Sequence, residues 1–391
     1  MKEGWEYKKL GEVCNVIGGG TPDTKNKEYW RGNIPWATVS DMNCDVIKTT
    51  GYYITDRGLN ESSSRIIKKG EIVIATRVGL GKVCKLAVDT AINQDLKGVI
   101  PKDNNIVRDF IFYYFKHKAK YIVDNGIGAT VKGVKIKFIE GLSFGFPSLS
   151  EQQSIVDYLD AAFAKIDTMK ANAEKALNEA KALFQVSLKE MLEPNEGWEE
   201  KKLSEVVNIL NGYAFPSKAF GDNQELKVVK ITNVGVGSFI EDISTLPQKM
   251  FIQDVCLKEG DIVIALTRTI ISEGLKRAII PSSYDGAMLN QRVASLRFSG
   301  KINMSFLYYY LGCSIVSDYV WLHVNTLMQP NLSIKDLKSM PVCIPSLSEQ
   351  QSIVASLDSL KSKVDRLQEN YDKISQECDA LKQSILRQVF E

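Results

Sequence analysis

The sequence predicts an α+β protein: two globular modules in tandem, separated and followed by long α-helices. Three observations carry this reading. The chain repeats itself internally, each repeat closes with a glycine-free stretch of helix composition, and short apolar runs set between turn residues fill what precedes that stretch. At 391 residues, with 44% apolar and 25% charged residues, a soluble chain with more than one core is expected.

The repeat is anchored at both ends. Gly4-Trp-Glu-Tyr-Lys-Lys-Leu-Gly-Glu-Val13 returns as Gly197-Trp-Glu-Glu-Lys-Lys-Leu-Ser-Glu-Val206, eight of ten residues matching at an offset of 193. Pro147-Ser-Leu-Ser-Glu-Gln-Gln-Ser-Ile-Val-Asp-Tyr-Leu-Asp160 returns from Pro345 to Asp358, twelve of fourteen matching at an offset of 198. Weaker echoes keep the order. Glu71-Ile-Val-Ile-Ala-Thr-Arg77 answers Asp261-Ile-Val-Ile-Ala-Leu-Thr-Arg268, Asn93-Gln94 answers Asn290-Gln291, and Phe110 to Phe115 answers Phe306 to Leu311. Gly18-Gly-Gly-Thr-Pro22 and Tyr29-Trp30 have no counterpart in the second half. A shared frame with unlike fillings points to two modules doing one kind of job on different targets. The expected segments are residues 1–149, 150–194, 195–345 and 346–391.

Within each module, Glu71 to Thr76, Leu226 to Thr232 and Asp261 to Leu266 read as strands. The tyrosine-rich segments at Tyr113-Tyr114 and Tyr308 to Tyr310 read as helix core. The closing helices have marked starts, with Ser150/Gln153 and Ser348/Gln351 fitting a capping box, and Pro194 ends the first of them. In the second, Leu357, Leu360, Val364, Leu367, Tyr371, Ile374, Cys378, Leu381 and Ile385 alternate steps of three and four, a coiled-coil seam. Leu159, Phe163, Ile166, Met169, Ala173, Leu177, Ala180 and Phe184 follow more loosely in the first. The expectation is an intramolecular helix pair.

Lys plus Arg (49) nearly balance Asp plus Glu (47), but the helices are acidic, which leaves about +7 on the two modules together. No secretory signal or spanning helix is read, and the seven scattered cysteines lack a Cys-x-x-Cys pair, so a cytoplasmic protein with free thiols is expected. Gly79-Leu-Gly-Lys82 is too short for a P-loop, no dinucleotide fingerprint develops after Gly18, and no amino-methyltransferase motif or metal-nuclease cluster is seen. His117 and His323, the two histidines, read as structural. The chain is expected to be no enzyme by itself and to hold neither cofactor nor metal.

What remains suits nucleic-acid recognition, which needs cations for phosphates and hydrogen-bonding groups for base edges. In the first module the candidates are Thr21, Lys25, Lys27, Tyr29, Trp30, Arg31, Trp36, Thr38, Arg77, Lys82, Asn93, Gln94, Thr130, Lys132 and Lys135. In the second they are Tyr213, Phe215, Lys218, Lys227, Lys230, Thr232, Asn233, Thr267, Arg268, Lys276, Arg277, Asn290, Gln291, Arg292, Asn325, Gln329 and Asn331. Arg77 and Arg268 each end a buried-looking β run, where a loop presents a guanidinium to guanine or phosphate. For Asn93-Gln94 and Asn290-Gln291 the competing reading is a pair that holds a turn.

Two divergent modules, each opening on Gly-Trp-Glu-x-Lys-Lys-Leu-x-Glu-Val and ending in Pro-Ser-Leu-Ser-Glu-Gln-Gln and a long helix, resemble the specificity subunit of type I restriction–modification systems over essentially the entire chain. The run of Gly19-Gly-Thr-Pro22, Tyr29-Trp30 and Ile34-Pro-Trp36 adds to the resemblance in the first module only. The resemblance implies that the modules are target recognition domains, each reading half of a bipartite, asymmetric double-stranded DNA target. It implies that the helices pair antiparallel with pseudo-two-fold symmetry and fix the spacer between half-sites. It further implies two methylating partner subunits that use S-adenosylmethionine, and through them two restriction subunits that use ATP and Mg2+. The alternative is a tandem-domain interaction scaffold with a coiled-coil spine, whose binding would be insensitive to salt.

Overall fold

The structure, a computed structural model, describes residues 2–221, 223–272, 274–324 and 329–391. It divides into two compact units, and the division differs from the linear segments expected. One unit joins Met1–Glu174 to Tyr371–Glu391; the other is Lys175–Asn370. Each of the two long helices, Leu149–Leu192 and Leu347–Phe390, therefore contributes to both units. The first ends two residues before Pro194, whose ring a continuing helix cannot accommodate.

In the first unit, strand Glu6–Lys9 lies antiparallel to Ser143–Phe146, so the module's two ends meet at the start of the long helix. Ile72–Ala75, buried throughout, is the middle strand of a five-stranded sheet, flanked by Leu96–Pro101 and Val83–Leu86. A second sheet of four strands is built on Trp30–Ala37 and Thr90–Ile92, which run parallel. The aromatic helix Arg108–Asp124 buries Phe110 through Phe115. Tyr113 and Tyr114 are thus core residues, as their spacing predicts.

The second unit repeats the frame. Glu199–Lys202 pairs with Pro341–Ile344, and Ile262–Ala265 is buried between Val293–Phe298 and Arg277–Ile279. Leu226–Val229 runs parallel to Met288–Leu289, as Trp30–Ala37 does to Thr90–Ile92. Each of these first strands leads into a short turn closed the same way: Thr38 N donates to Asp41 Oδ2 at 2.7 Å, and Lys230 N donates to Asn233 Oδ1 at 2.9 Å. Gly19 also finds a counterpart in Gly212. A Cβ on Gly19 would lie 2.2 Å from Ile92 O, and one on Gly212 would lie 1.9 Å from Asn290 O. The glycine-rich run therefore keeps one structural equivalent although its sequence does not recur.

The aromatic helix is where the frame departs. It is broken in the second unit into Met304–Tyr310 and Ser314–His323. Arg277 occupies the break: its guanidinium donates to Tyr308 O at 3.0 Å, and a Cβ on Gly312 would lie 2.0 Å from its Nη2. A side chain at position 312 would have to push the guanidinium aside.

The long helices pair inside each unit. In the first, Leu159, Ile166 and Cys378 are buried, with Phe163, Ala173, Tyr371, Ile374 and Ile385 half-buried beside them. Asp167 accepts from Lys382 and Lys170 faces Asp379 at 3.7 Å, so residue numbers rise on one helix as they fall on the other: the segments are antiparallel. In the second unit Leu177, Leu357 and Val364 are buried, Leu360 and Leu367 half-buried, and Lys181 Nζ donates to Gln368 at 2.8 Å. Two seam positions are corrected. Leu381 is 48% and Met169 60% exposed. Lys382 takes the inward place instead, its ammonium 5.2 Å over the Phe163 ring, because its methylene stem covers apolar surface while the charge reaches Asp167.

The helix starts are corrected as well. Ser148 and Ser346 cap them, accepting from Glu151 N at 3.4 Å and Glu349 N at 3.3 Å, two residues before the serines expected. The glutamine after each glutamate has another role. Gln152, fully buried, donates to Pro147 O at 2.9 Å and Asn105 O at 3.0 Å and accepts from Val107 N at 2.8 Å. Gln350 does the same with Pro345 O at 2.9 Å and Asn303 N at 2.8 Å. One amide thus ties the helix start to the loop before the aromatic helix.

Candidate nucleic-acid interface

Two loops form the most cationic candidate surface of the first unit. After the buried strand Ile72–Ala75, the backbone turns at Arg77 and Gly79 and returns at Lys82. A second loop, residues 125–135, is stitched to it: Val134 N donates to Thr76 O at 2.8 Å, and a Cβ on Gly133 would lie 3.0 Å from Arg77 Cγ. Arg77, Lys82, Thr130, Lys132 and Lys135, far apart in sequence, are all exposed on this pair of loops. Arg77 also faces Asp95 at 3.4 Å. On the adjacent loops Thr21 donates to Gln94, which is exposed.

The second unit places different side chains on the equivalent backbone. Thr76 N reaches Asp95 O at 2.8 Å, and Leu266 N reaches Arg292 O at 2.8 Å, so Arg292 stands where the first unit has Asp95. By the same register Thr267, paired with Asn331, stands where Arg77 does. Arg268 is one residue further on, an added position held at φ 48°. The alignment of Arg77 with Arg268 is therefore off by one. Arg268, Gln291, Arg292, Asn331 and Tyr213 are exposed, and Gln291 N donates to Tyr213 O at 3.0 Å.

These loops share a frame with known proteins. A family model described as the type I restriction modification DNA specificity domain matches residues 2–179 and again residues 195–376. The chain belongs to this family. Among its relatives, the type I restriction enzyme MjaIX specificity subunit of Methanocaldococcus jannaschii is 26% identical, over 92% of this chain and 87% of its own. The MjaVIII specificity subunit of the same organism is 29% identical over 93% and 88%. A solved chain described under complex assembly and conformational transition of the type I R-M system covers all of this chain and 98% of its own, with a TM-score of 0.79 at 19% identity, a likeness of fold. The chain is thus a DNA-specificity subunit of the type I class, and nothing favours the interaction scaffold.

Several residues expected to touch DNA instead build the specificity modules from within. Trp36 is buried and donates through Nε1 to Gly20 O and Ser64 Oγ, both at 3.1 Å. Asn93 is buried, its Oδ1 accepting from Asp95 N at 3.0 Å and Leu96 N at 3.2 Å, the turn-holding alternative. Asn233 is buried and donates to Ile240 O and Asp242 O; Phe215 is 6% exposed. Arg277 is held in the helix break, where burial lowers its pKa. Lys276 is half-buried with Nζ on Ile231 O at 3.0 Å, and burial, then Arg268, lowers its pKa. Phe215 apart, a backbone carbonyl or amide satisfies each polar group, which is what permits its burial.

The others remain at or near the surface. Lys25, Lys27, Arg31, Lys218 and Thr232 are exposed. Tyr29, Trp30, Thr38, Lys227, Lys230, Asn290 and Gln329 are half-buried, with Tyr29 donating to Glu61 at 2.5 Å and Lys230 facing Asp242 at 3.7 Å. Asn325 lies outside the described residues. Arg31 sits at φ 62° in an irregular stretch of Trp30–Ala37, beside an aromatic group the sequence did not single out: Trp30 packs 6.2 Å and Trp36 6.1 Å from Tyr52, which is 57% exposed. Strand alternation at Tyr52-Tyr53 was the available signal.

His117 is core, stacked 5.6 Å from Phe390, and His323 stacks on Tyr319 at 3.9 Å. Among the described residues no group of three or more His, Cys, Asp or Glu could hold a metal ion, and no helix is long and apolar enough to cross a membrane.

Proposed function

We propose that each module reads one half of a bipartite, asymmetric DNA target, the first through Arg77, Lys82, Gln94, Lys132 and Lys135 and the second through Tyr213, Arg268, Gln291, Arg292 and Asn331. The observation that carries this is the exchange of side chains on one backbone frame: Arg77 beside Asp95 in one module, Thr267 and Arg292 at the same places in the other. A guanidinium free of a carboxylate suits guanine or phosphate, whereas a paired one presents a different hydrogen-bond pattern. The paired helices set the spacer and recruit two methylating subunits that use S-adenosylmethionine, and through them two restriction subunits that use ATP and Mg2+. This chain supplies no reacting group, and the whole works in the cytoplasm of a prokaryote.

A map of N6-methyladenine in the host with and without this gene tests the reading. Loss of one gapped, bipartite motif is expected; an unchanged map in a strain that expresses the methylating partners overturns it. Arg292→Asp, or exchange of residues 195–345 for another such module, should alter one half-site and leave the other. A heptad added to each long helix lengthens the pair by about 10 Å and should lengthen the spacer with the half-sites unchanged.

A further inference from the structure

Ile127 is 85% exposed, the most exposed large hydrophobic residue described, and Val131 beside it is 43% exposed. The loop that carries them is pinned. Ile127 N donates to Gly133 O at 2.9 Å and Gly133 N returns the bond to Ile127 O at 3.0 Å. A Cβ on Gly126 would lie 2.6 Å from Leu80 Cδ2, and one on Gly128, at φ 142°, would lie 2.2 Å from Val131 O. A stiff β-branched side chain is thus held out in water on a short hairpin, where it contributes nothing to the module's core. Its surroundings are cationic: Arg77, Lys135 and Lys137 line the same concavity as Ile127, and Lys132 is exposed on the hairpin itself.

An apolar tip set among exposed cations fits a duplex, whose phosphates take the lysines while the interior of its base stack takes the aliphatic group. We propose that Ile127 is a wedge that enters between two base pairs of the half-site read by the first module, partly unstacking them and kinking the duplex. This rests on the reading that the module binds DNA and adds a way of discriminating: steps that unstack easily are preferred without any hydrogen bond to their edges. Val131, Val134 and Phe138 line the concavity too, but the cations ringing them, Arg77, Lys135 and Lys137, favour a polyanion over an apolar protein partner.

The test uses the full chain in complex with its methylating subunits, on duplexes carrying the motif found by methylation mapping. 2-Aminopurine placed successively through the half-site reports unstacking, and energy transfer between the duplex ends reports bending. Besides the target adenine that the methylating subunit itself extrudes, the wild-type complex should give a fluorescence rise at one further step. Ile127→Ser should abolish that rise, straighten the duplex and weaken specific binding by roughly tenfold, a loss of the size of one mismatched pair. Ile127→Met should keep the rise, since it keeps an apolar tip. Lys132→Ala should keep it too, while weakening binding to all sequences and flattening the salt dependence. An Ile127→Ser complex that bends and unstacks DNA like wild type overturns the wedge, as does loss of the methylating subunits from that variant, which would make the tip a protein contact. Wild-type binding with no such further step also overturns the wedge but leaves DNA reading standing; no DNA binding by the wild-type complex overturns both.

Discussion

The two modules are fastened to their long helices by the same parts and differ in the aromatic helix and in the loops. At the joints, Trp5 meets Phe110 at 5.8 Å and Trp198 meets Phe306 at 5.9 Å, Tyr113 donates to Asp160 as Tyr309 does to Asp358, and Gln152 is answered by Gln350. Beside these parts the aromatic helix is whole in one module and broken by Arg277 in the other, and the loops after the buried strand exchange Asp95 for Arg292. The frame is shared from the joints out to the turns after the parallel strands, and the difference lies in the loop side chains and in the break of the aromatic helix.

The strongest way to break this comparison is through the joints. Leu159→Ala and Leu357→Ala remove equivalent, fully buried side chains, and each should cost about 2–5 kcal/mol in denaturant unfolding. Similar losses at the two sites would support equivalent joints; a negligible loss at one would break the equivalence. Next come the amide clamps. Gln152→Ala leaves Val107 N and the carbonyls of Asn105 and Pro147 without their partner, and should destabilise by about 1–3 kcal/mol, with Gln350→Ala comparable.

A difference between the modules should appear on acidification. Burial, aided by Lys118 and Arg387 and opposed by Glu391, holds the His117 pKa down to about 4. The unfolded chain binds that proton more readily, so the stability it guards is full above the ordinary histidine range near 6.5 and falls as the pH drops from there toward 4. The fall should be of order 1–3 kcal/mol, read as the pH dependence of thermal unfolding, and His117→Phe should flatten it. The smallest effect sharpens the seam: Leu381→Ala, at an exposed position, should change stability by less than about 0.5 kcal/mol.

The tandem frame and the helix pair were legible because repetition and heptad spacing are properties of the chain itself. The helix caps were misplaced by two residues because serine recurs every second position in Pro-Ser-Leu-Ser, and only backbone geometry selects between them. Among the candidate DNA residues, Trp36, Asn93, Asn233 and Arg277 carry the polar groups a reader of DNA needs. Trp36 and Arg277 face inward because groups distant in sequence satisfy them, of which composition holds no record, whereas Asn93 and Asn233 hold local turns, the alternative open for Asn93 from the sequence. Ile127 escaped notice for the converse reason: an aliphatic residue is assigned to the core until its exposure is seen.

The interleaving of the two units also sets an order of assembly. Residues 175–370 are contiguous and close on themselves as soon as they have been synthesised. Residues 1–174, made first, lack the helix segment 371–391 that covers Phe110 and His117, and at translation rates of about 5–20 residues per second they wait roughly 10–40 s for it. Until then the apolar ends of the aromatic helix and of the first long helix are open to water. The nascent chain thus presents a half-built module until residues 371–391 are made, and that segment is the one that seals it.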